Sequence, residues 1–353
     1  MTSLLSDLCS IQDVSGRGRG VIATQGISVD TVLLRTGPPA AHVIFSQYRK
    51  EICAHCFRYD RGRRLPVRSP ANGKHFCSRD CEDYWIRAQN AHRLEAWTRV
   101  YSFVQTTSRS VQNNRCQKNA DGKPGMDKVA AAWEQAEHLI KIQHKGKEQA
   151  LARRKTGSRV ENCSGRPLPA SCNGKVNPDQ LGFLLSGIQL YHDHPERWAE
   201  DILTLAHDEE PYCSSEDLEA HVHSLLQLTA ILPETLVTSC KPEVCRDLVN
   251  VTGHNSFDIN AGGEDGEEYV GCGLYPAASY FNHSCSPNIA KRRDGHGWTF
   301  RAARNIAIGE ECCITYLGGE ERCLSMGDRR DRLKAFVCMC PACEKESTPT
   351  TVQ

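Results

Sequence analysis

Apolar side chains recur at helical spacing in several long segments of the chain. In residues 126–155, Val129, Trp133, Ala136 and Leu139 fall on one face, and this period predicts an amphipathic helix. Similar spacing predicts helices over residues 82–104, 178–190, 214–231, 232–250 and about 322–334. The polar, turn-rich residues 105–124 and 156–176 predict loops between them.

Short β-prone runs occur near the N-terminus and again in the last third of the chain. The glycine-rich segment GRGRG precedes VIAT and TVLL, which we expect to form strands. Further along, SFDIN and YVGCGLY flank one turn, and IAKRR and WTFRA flank another, so two hairpins are predicted. The run CCITY predicts one more strand, and residues 345–353 are expected to form a frayed tail.

Composition places the chain among globular proteins. It has 353 residues, of which 39% are hydrophobic and 24% charged, enough for one large or two modest cored domains. The 43 basic and 43 acidic residues balance, so direct nucleic-acid binding is not expected. Residues 141–160 are locally basic and residues 193–219 locally acidic, and two solvated faces explain them as well as binding patches do.

The cysteine content indicates a reducing compartment. No run of about 20 apolar residues is present and the N-terminus lacks the features of a secretory signal, so neither a membrane span nor secretion is expected. In such a chain, clustered cysteines among the total of 19 are expected to bind metal rather than form disulfides. The nucleus, the cytoplasm or both are the expected locations.

Two cysteine clusters have the spacing of metal sites. Cys53-x2-Cys56 and Cys77-x3-Cys81 can together wrap one tetrahedral zinc ion, and four protein ligands would leave no position for a substrate. The alternative is a set of buried structural cysteines.

The second cluster lies near the C-terminus. It is Cys338-x-Cys340-x2-Cys343, which needs a fourth ligand, and Cys323 and Cys285 are the candidates. If Cys285 closes the site, the metal pins the C-terminal segment onto the middle of the fold. The alternative is a disordered end that happens to carry cysteines.

The run NHSCSPN, residues 282–288, carries the most informative chemistry. A Cys beside a His could suggest a nucleophile, but adjacent side chains rarely face each other and nothing in the context supports a cysteine hydrolase. A zinc hydrolase would need an open metal position, which four-cysteine sites lack. Standing alone, the run could be an ordinary Asn-rich turn.

Together with other motifs, this run resembles the SET-domain lysine methyltransferases, specifically the SET–MYND subfamily. The matching features are GRGRGVIAT, the cysteine finger, a helical insert, NSF, GLYPAASYFNHSCSPN, IAIGEE with ITY, and CxCxxC, in the family's order. The resemblance covers residues 14–104 and about 178–345. It implies an α+β protein: the SET-domain β fold with knot-like C-terminal threading, an inserted zinc finger and a helical insert.

The resemblance implies a protein-lysine N-methyltransferase that takes its methyl group from S-adenosylmethionine. Tyr316 is implied as the catalytic residue, and Phe257 and Tyr316 as the walls of the substrate-lysine channel. The residues implied to bind the cofactor are Arg17, Arg19, Asn255, Ser279, Asn282, His283, Tyr316 and Phe336. An arginine in the glycine-rich turn could pair with the methionine carboxylate. The implied zinc ligands, for about two ions per chain, are Cys53, Cys56, Cys77, Cys81, Cys285, Cys338, Cys340 and Cys343.

Two features depart from the family pattern. The full MYND finger has eight zinc ligands, whereas only its first and third ligand pairs occur here, so one zinc ion is expected in a reduced finger. Many relatives also carry a second channel tyrosine where this chain has Lys334. These departures keep open an alternative function as a zinc-stabilised, SET-like interaction module with weak or no transferase activity.

The implied layout has six parts. Residues 1–50 form the N-terminal SET segment, 51–92 the reduced finger, 93–250 the helical insert with a flexible part near 105–177, 251–320 the SET core, 321–345 the post-SET zinc segment, and 346–353 a disordered tail. We expect a short form without the C-terminal helical-repeat domain of longer relatives. The expected partner is a protein substrate, a histone or another protein bearing the lysine, and the chain is expected to be a monomer.

Overall fold

The structure is a computed structural model, and it describes residues 5–108, 122–155, 175–261, 268–318, 321, 323–333 and 336–347. It combines helices and antiparallel strands, as predicted. The strands are β1 Cys9–Val14, β2 Gly18–Ala23, β3 Val32–Arg35, β4 Ala41–Ile44, β5 Val67–Arg68, β6 His75–Phe76, β7 Ser256–Ala261, β8 Glu268–Leu274, β9 Ile289–Asp294, β10 Gly297–Ala302 and β11 Glu311–Cys312. The helices are α1 Arg79–Arg87, α2 Ala91–Ser108, α3 Met126–Lys155, α4 Pro178–Asp193, α5 Pro195–Asp201, α6 Ser215–Ile231, α7 Glu234–Val237, α8 Pro242–Asn255, α9 Met326–Leu333 and α10 Pro341–Ser347.

Three small sheets each join strands from the two ends of the chain. Their strand orders are β1-β2-β11, β3-β10-β9 and β4-β8-β7, and every pair is antiparallel. The hairpins β7–β8 and β9–β10 are the two predicted from the sequence. Strands β5 and β6 form a separate two-stranded sheet within the finger. The finger and helices therefore form an insertion that leaves the sheets after β4 and returns at β7.

One hydrophobic core lies within the helical insert, and a second lies among the sheets. In the insert, α4 supplies fully buried Leu181, Leu185 and Ile188, which pack in a core shared with α2, α3, α6 and α8. Among the sheets, Phe281 and Phe300 stack with ring centroids 4.9 Å apart in a second core. Because strands on both sides of the insertion share the second core, the glycine-rich turn and the NHSCSPN run are held close together.

Several predicted boundaries need correction. The single helix expected at 82–104 is two helices. The first ends at Arg87, and Asn90 caps the second by accepting a hydrogen bond from the backbone N–H of Arg93 (3.0 Å). The segment expected at 232–250 is also divided, and its second helix begins at Pro242 and continues to Asn255. Helix α5 was not predicted, since it lies in the polar, acidic stretch.

The CCITY segment forms only a short strand. Its ladder with β2 stops at Cys312, because the next backbone groups bond elsewhere: Cys313 N–H donates to the Asn288 side chain (2.7 Å) and Ile314 N–H to the Asn282 carbonyl (3.0 Å). The chain after β11 is thus attached to the NHSCSPN run instead of to a sheet. This attachment places Tyr316 beside that run.

The part expected to be flexible, near 105–177, and the tail expected at 346–353 are described only in part by the structure. Helix α3 occupies residues 126–155 of the region expected to contain a flexible part, and α2 continues to Ser108. The tail expected at 346–353 begins inside α10, which ends at Ser347; residues 348–353 lie outside the described residues. Knot-like threading stays a prediction. Among the helices that the structure describes, none combines the length and apolar character needed to cross a bilayer.

Candidate active site

A cleft of about 930 Å³ lies where the glycine-rich turn, the end of α8, the NHSCSPN run and the C-terminal segment meet. Pockets that bind small molecules commonly have volumes of about 300–1,000 Å³. All eight residues that the sequence implied for cofactor binding line this one cleft: Arg17, Arg19, Asn255, Ser279, Asn282, His283, Tyr316 and Phe336. They come from positions more than 300 residues apart, so the fold assembles the site.

The β1–β2 turn brings its backbone close to the cleft because it is rich in glycine. Gly16 and Gly18 have positive φ angles of 68° and 69°, which side-chain-bearing residues rarely adopt. At Gly20 a Cβ atom would lie 2.7 Å from a carboxylate oxygen of Glu311 and 2.8 Å from the amide nitrogen of Asn282. The absence of a side chain there permits the close approach of the turn to these two residues.

Glu311 links the glycine-rich turn to the NHSCSPN run. Its carboxylate forms an ion pair with Arg17 and accepts a hydrogen bond from the Asn282 side chain (2.8 Å). Arg17 also donates to the carbonyl of His283 (2.5 Å). Arg17 therefore lines the cleft with its guanidinium already paired to a carboxylate of the protein.

Arg19 is positioned differently from Arg17. Its guanidinium donates to the carbonyl of Thr204 and lies 5.0 Å from the ring centroid of Tyr280. No carboxylate pairs with Arg19 among the residues that the structure describes. Of Arg17 and Arg19, Arg19 is thus the better placed to receive an anionic group.

Asn255 connects three segments of the cleft wall. It is 4% exposed at the end of α8, and its amide donates to the carbonyls of Val251 (2.7 Å) and Ala206 (2.8 Å). The hydroxyl of Ser279 donates to the Asn255 carbonyl (3.2 Å). Asn255 therefore fixes the loop at 205–207 and the segment around Ser279 against the end of α8.

His283 is buried between the cleft and the C-terminal cysteines. Its Nδ1 accepts a hydrogen bond from the backbone N–H of Tyr316 (3.0 Å), which leaves the ring proton on Nε2, 3.3 Å from the sulfur of Cys285. Burial, followed by the nearby cations Arg17, Arg329 and Lys291, lowers the pKa of His283 to about 4. The imidazole is thus neutral near pH 7, as these two hydrogen bonds require.

Tyr316 combines an exposed ring with an enclosed hydroxyl. The residue is 42% exposed because it lines the open cleft, while its hydroxyl donates to the carbonyl of Phe281 (3.0 Å). Burial of the hydroxyl is the largest of the causes that raise the pKa of Tyr316 to about 12. The ring lies 5.3 Å from that of His283 and 6.0 Å from that of Phe336. Tyr316 therefore stays protonated near pH 7 and lies within an aromatic corner of the cleft.

The C-terminal cysteines form a compact group with Cys285. The four ligand sulfurs of Cys285, Cys338, Cys340 and Cys343 lie within 4.8 Å of one another. Cys285 is 3.6 Å from Cys343 and 4.0 Å from Cys338, close to the edge of about 3.8 Å of a tetrahedron with 2.3 Å zinc–sulfur bonds. Of the two candidates for the fourth position, Cys285 joins the group and Cys323 does not.

The finger cysteines form a second group of the same kind. The sulfurs of Cys53, Cys56, Cys77 and Cys81 also lie within 4.8 Å, with 3.7 Å between Cys56 and Cys77. The group is fixed in part by the hydroxyl of Ser78, which caps α1 by accepting from the Cys81 backbone N–H (3.2 Å). Both groups therefore have the donor atoms and spacing that a structural zinc ion requires.

Two residues considered for the lysine channel are not among the described residues that line the cleft. Phe257 does not line the cleft: its ring is buried in the sheet core, with centroids 5.7 Å from Tyr275 and 5.8 Å from Trp298. Its channel role stays a prediction. Lys334, which replaces the second channel tyrosine of relatives, lies outside the described residues.

Sequence reasoning missed several residues of the cleft. Asp258, Tyr280, Glu321 and Arg332 line it, and Glu311 organises it. Glu311 belongs to the IAIGEE segment that supported the family resemblance. Nothing in that segment, however, indicated which of its two glutamates would face the glycine-rich turn.

A SET domain matches residues 18–317. A potential protein lysine methyltransferase of Saccharomyces cerevisiae, SET6, is 22% identical over 97% of this chain and 96% of its own length. A SET and MYND domain-containing protein of Dictyostelium discoideum is 34% identical and the human histone-lysine N-methyltransferase SMYD3 is 38% identical. These two matches cover 30% and 26% of this chain, and only 26% and 21% of those longer proteins.

Proposed function

This chain belongs to the SET-domain family, and on that premise we propose that it is a protein-lysine methyltransferase that uses S-adenosylmethionine. Relatives named as protein-lysine and histone-lysine methyltransferases support the reaction class. The observation that carries the proposal is the convergence of all eight implied cofactor residues on one cleft.

The wall of the cleft offers a suitable partner for each part of the cofactor. When bound, S-adenosylmethionine supplies an electrophilic methyl group on a sulfonium. Arg19 is available to pair with the carboxylate of its methionine part. Phe336, 40% exposed at the cleft, offers an apolar ring face for the adenine. Asn255 and Ser279 hold the loops between these two ends in place.

Tyr316 contributes an oxygen acceptor rather than a base. Its proton is donated to the Phe281 carbonyl and its pKa is raised, so the phenol remains neutral and its oxygen lone pairs stay available. An oxygen held in this way can orient the methyl group or the amine of the incoming lysine. Catalysis of this kind rests mainly on alignment of the reacting atoms, which a rigid corner favours.

Acidic groups on the cleft wall suit a cationic substrate. Asp258 and Glu321 both line the cleft. Burial, opposed by Lys291 and reinforced by Glu321, raises the pKa of Asp258. Glu321, and Asp258 in its ionised form, would attract a lysine ammonium. The ammonium must pass its proton to water in the open cleft before its nitrogen lone pair can accept the methyl group. We accordingly propose a lysine of a histone or another protein as the acceptor, in the nucleus or the cytoplasm.

The experiment is a transfer assay with the purified full chain, labelled S-adenosylmethionine, and a panel of histones and cell lysate. The proposed function predicts labelled protein bands whose label mass spectrometry locates on lysine. Cofactor binding without label on any protein would favour the alternative, an interaction module. Label found on another residue type would contradict the lysine assignment.

A further inference from the structure

A third group of metal-binding side chains lies apart from the cleft and from both cysteine groups. His92 of α2 and His192 and Asp193 of α4 bring their ligand atoms within 4.8 Å of one another. We propose that this group binds a divalent transition-metal ion such as Zn²⁺, which braces the start of α2 against the end of α4. Neither the family resemblance nor the cysteine chemistry accounts for it.

The geometry suits one ion shared by three ligands. Nε2 of His92 lies 2.9 Å from Oδ1 of Asp193, close to the separation of about 3.0 Å between adjacent ligands of an octahedral ion at about 2.1 Å. In a tetrahedral site these two atoms would move to about 3.4 Å apart. The two imidazole rings have centroids 5.0 Å apart and an angle of 77° between their planes. At this separation both rings can bind one ion, since one ligand atom of each lies within 4.8 Å of the other and of Asp193.

Neighbouring groups hold these ligands in the required orientation. The Nδ1 of His192 lies 2.9 Å from the hydroxyl of Ser239, so Nε2 of that ring is left for the metal. Oδ2 of Asp193 accepts from Arg93 and from the amide of Asn90 (3.3 Å), and the same amide also reaches Oδ1 at 3.4 Å. Metal-binding histidines and carboxylates commonly have such outer partners, which fix the ring and free one donor atom.

The simplest alternative is a hydrogen-bonded cap. Asp193 lies at the start of α2, where a carboxylate is favoured, and its bonds to Arg93 and His92 would be enough to hold it there. A hydrogen-bonded cap does not explain why a ligand atom of His192 also lies within 4.8 Å of those of His92 and Asp193. The positive charge of Arg93 opposes a cation, however, so binding should be weaker than at the four-cysteine sites.

The proposed ion would connect parts of the insertion that are distant in sequence. Helix α1 carries the finger ligand Cys81 and leads into α2, while α4 lies in the core of the helical insert. An ion at His92 and His192 would therefore fix the finger relative to the insert. The side chains of His92 and Asp193 are 25% and 14% exposed, so an ion can reach them.

Cobalt provides a direct test in the full chain. With both cysteine sites filled by zinc, we expect Co²⁺ titration to add one further ion per chain, with visible d–d bands and no thiolate-to-cobalt charge-transfer band. His92→Gln and His192→Gln should each weaken this binding at least about tenfold. The matched control is His194→Gln, since His194 is the next residue but one and lies outside the group. It should bind cobalt as the wild type does.

A second measurement does not depend on any variant folding. X-ray absorption at the cobalt edge of the wild-type chain should show a nitrogen and oxygen shell with imidazole scattering and no sulfur. A sulfur shell would mean that cobalt had entered a cysteine site and would overturn the proposal. Failure of the zinc-filled wild type to bind any further ion, or unchanged binding in both histidine variants, would overturn it as well.

Discussion

The Nδ1 of His283 accepts a hydrogen bond from the backbone N–H of Tyr316 at 3.0 Å. The opposite edge of the same ring faces Cys285, whose sulfur is 3.3 Å from Nε2. His283 therefore joins the residue proposed for catalysis to a cysteine of the C-terminal four-cysteine group. The side chain was expected to touch the cofactor, and its hydrogen bonds show that it also fixes the position of Tyr316.

This connection predicts that the two cysteine sites differ in their effect on the cleft. Cys285→Ser should remove one zinc ion and weaken S-adenosylmethionine binding on the order of tenfold, because Cys338 of the same site lines the cleft. Cys53→Ser should also remove one zinc ion, yet leave cofactor binding nearly unchanged. Metal analysis together with calorimetric titration measures both quantities.

A matched control for these variants is Cys213→Ser, since Cys213 is exposed and belongs to neither group. It should keep about two tightly bound zinc ions and wild-type affinity for the cofactor. Equal loss of cofactor affinity in Cys285→Ser and Cys53→Ser would refute the connection through His283.

Tyr316→Phe should reduce methyl transfer on the order of a hundredfold while preserving cofactor affinity within a few fold. The variant removes only the hydroxyl oxygen that we propose orients the reacting groups, and preorganised polar groups of this kind typically contribute that much. Steady-state transfer rates and calorimetry separate the two effects. Tyr84→Phe, which alters an exposed tyrosine of α1, is the control and should leave both unchanged. Undiminished turnover in Tyr316→Phe would rule out its catalytic role.

The ion pair between Arg17 and Glu311 should be energetically coupled. Both side chains are less than one-fifth exposed, so the pair is poorly screened by solvent. A double-mutant cycle with Arg17→Gln and Glu311→Gln is expected to give a coupling of about 1–2 kcal/mol in the free energy of unfolding. The neighbouring pair Arg304 and Glu310 is more exposed and should show a smaller coupling. Equal coupling in the two pairs would contradict the conclusion that the Arg17–Glu311 pair contributes more because it is less exposed to solvent.

His42 should make the protein less stable in acid. Burial, then Lys74 and His296, lower the pKa of His42 to about 3, against an ordinary value near 6.5. Between these pH values the unfolded chain binds more protons at His42 than the folded chain does. The contribution of His42 to the free energy of unfolding is therefore fully present above pH 6.5 and is lost as the pH falls towards 3. Its slope is at most about 1.4 kcal/mol per pH unit.

Urea unfolding at pH 6.5 and 5.5 measures this effect. The free energy of unfolding should fall less between these pH values in His42→Leu than in the wild type, by up to about 1 kcal/mol. Loss of zinc in acid affects both proteins and cancels in the comparison. His194→Gln, which alters a half-exposed histidine, should retain the wild-type dependence. Identical pH dependence in His42→Leu and the wild type would show that His42 does not contribute.

Local patterns predicted the elements well where periodicity was long and uninterrupted. The helix at residues 126–155 and the hairpins β7–β8 and β9–β10 follow directly from apolar spacing and turn residues. The break at residues 88–90 depends on a single cap at Asn90, and the shortness of β11 depends on bonds to Asn288 and Asn282. Such long-range hydrogen bonds leave no periodic signal.

The cleft was predictable in its members but not in their contacts. Motif resemblance identified eight of the residues that line it, and cysteine spacing identified both groups of four. Neither the motifs nor the cysteine spacing could show that Arg17 forms an ion pair with Glu311, or that Phe257 is buried in the sheet core. Nor could they reveal the group of His92, His192 and Asp193, because two helices far apart in sequence form it.

Titration of the purified chain with S-adenosylmethionine tests the central claim most directly, namely that one cleft holds the cofactor. We predict one binding site per chain, an affinity at least about tenfold lower in Phe336→Ala, and wild-type affinity in Phe45→Ala, whose ring lies outside the cleft. The absence of binding to the zinc-loaded wild type, or equal affinity in Phe336→Ala and the wild type, would contradict it.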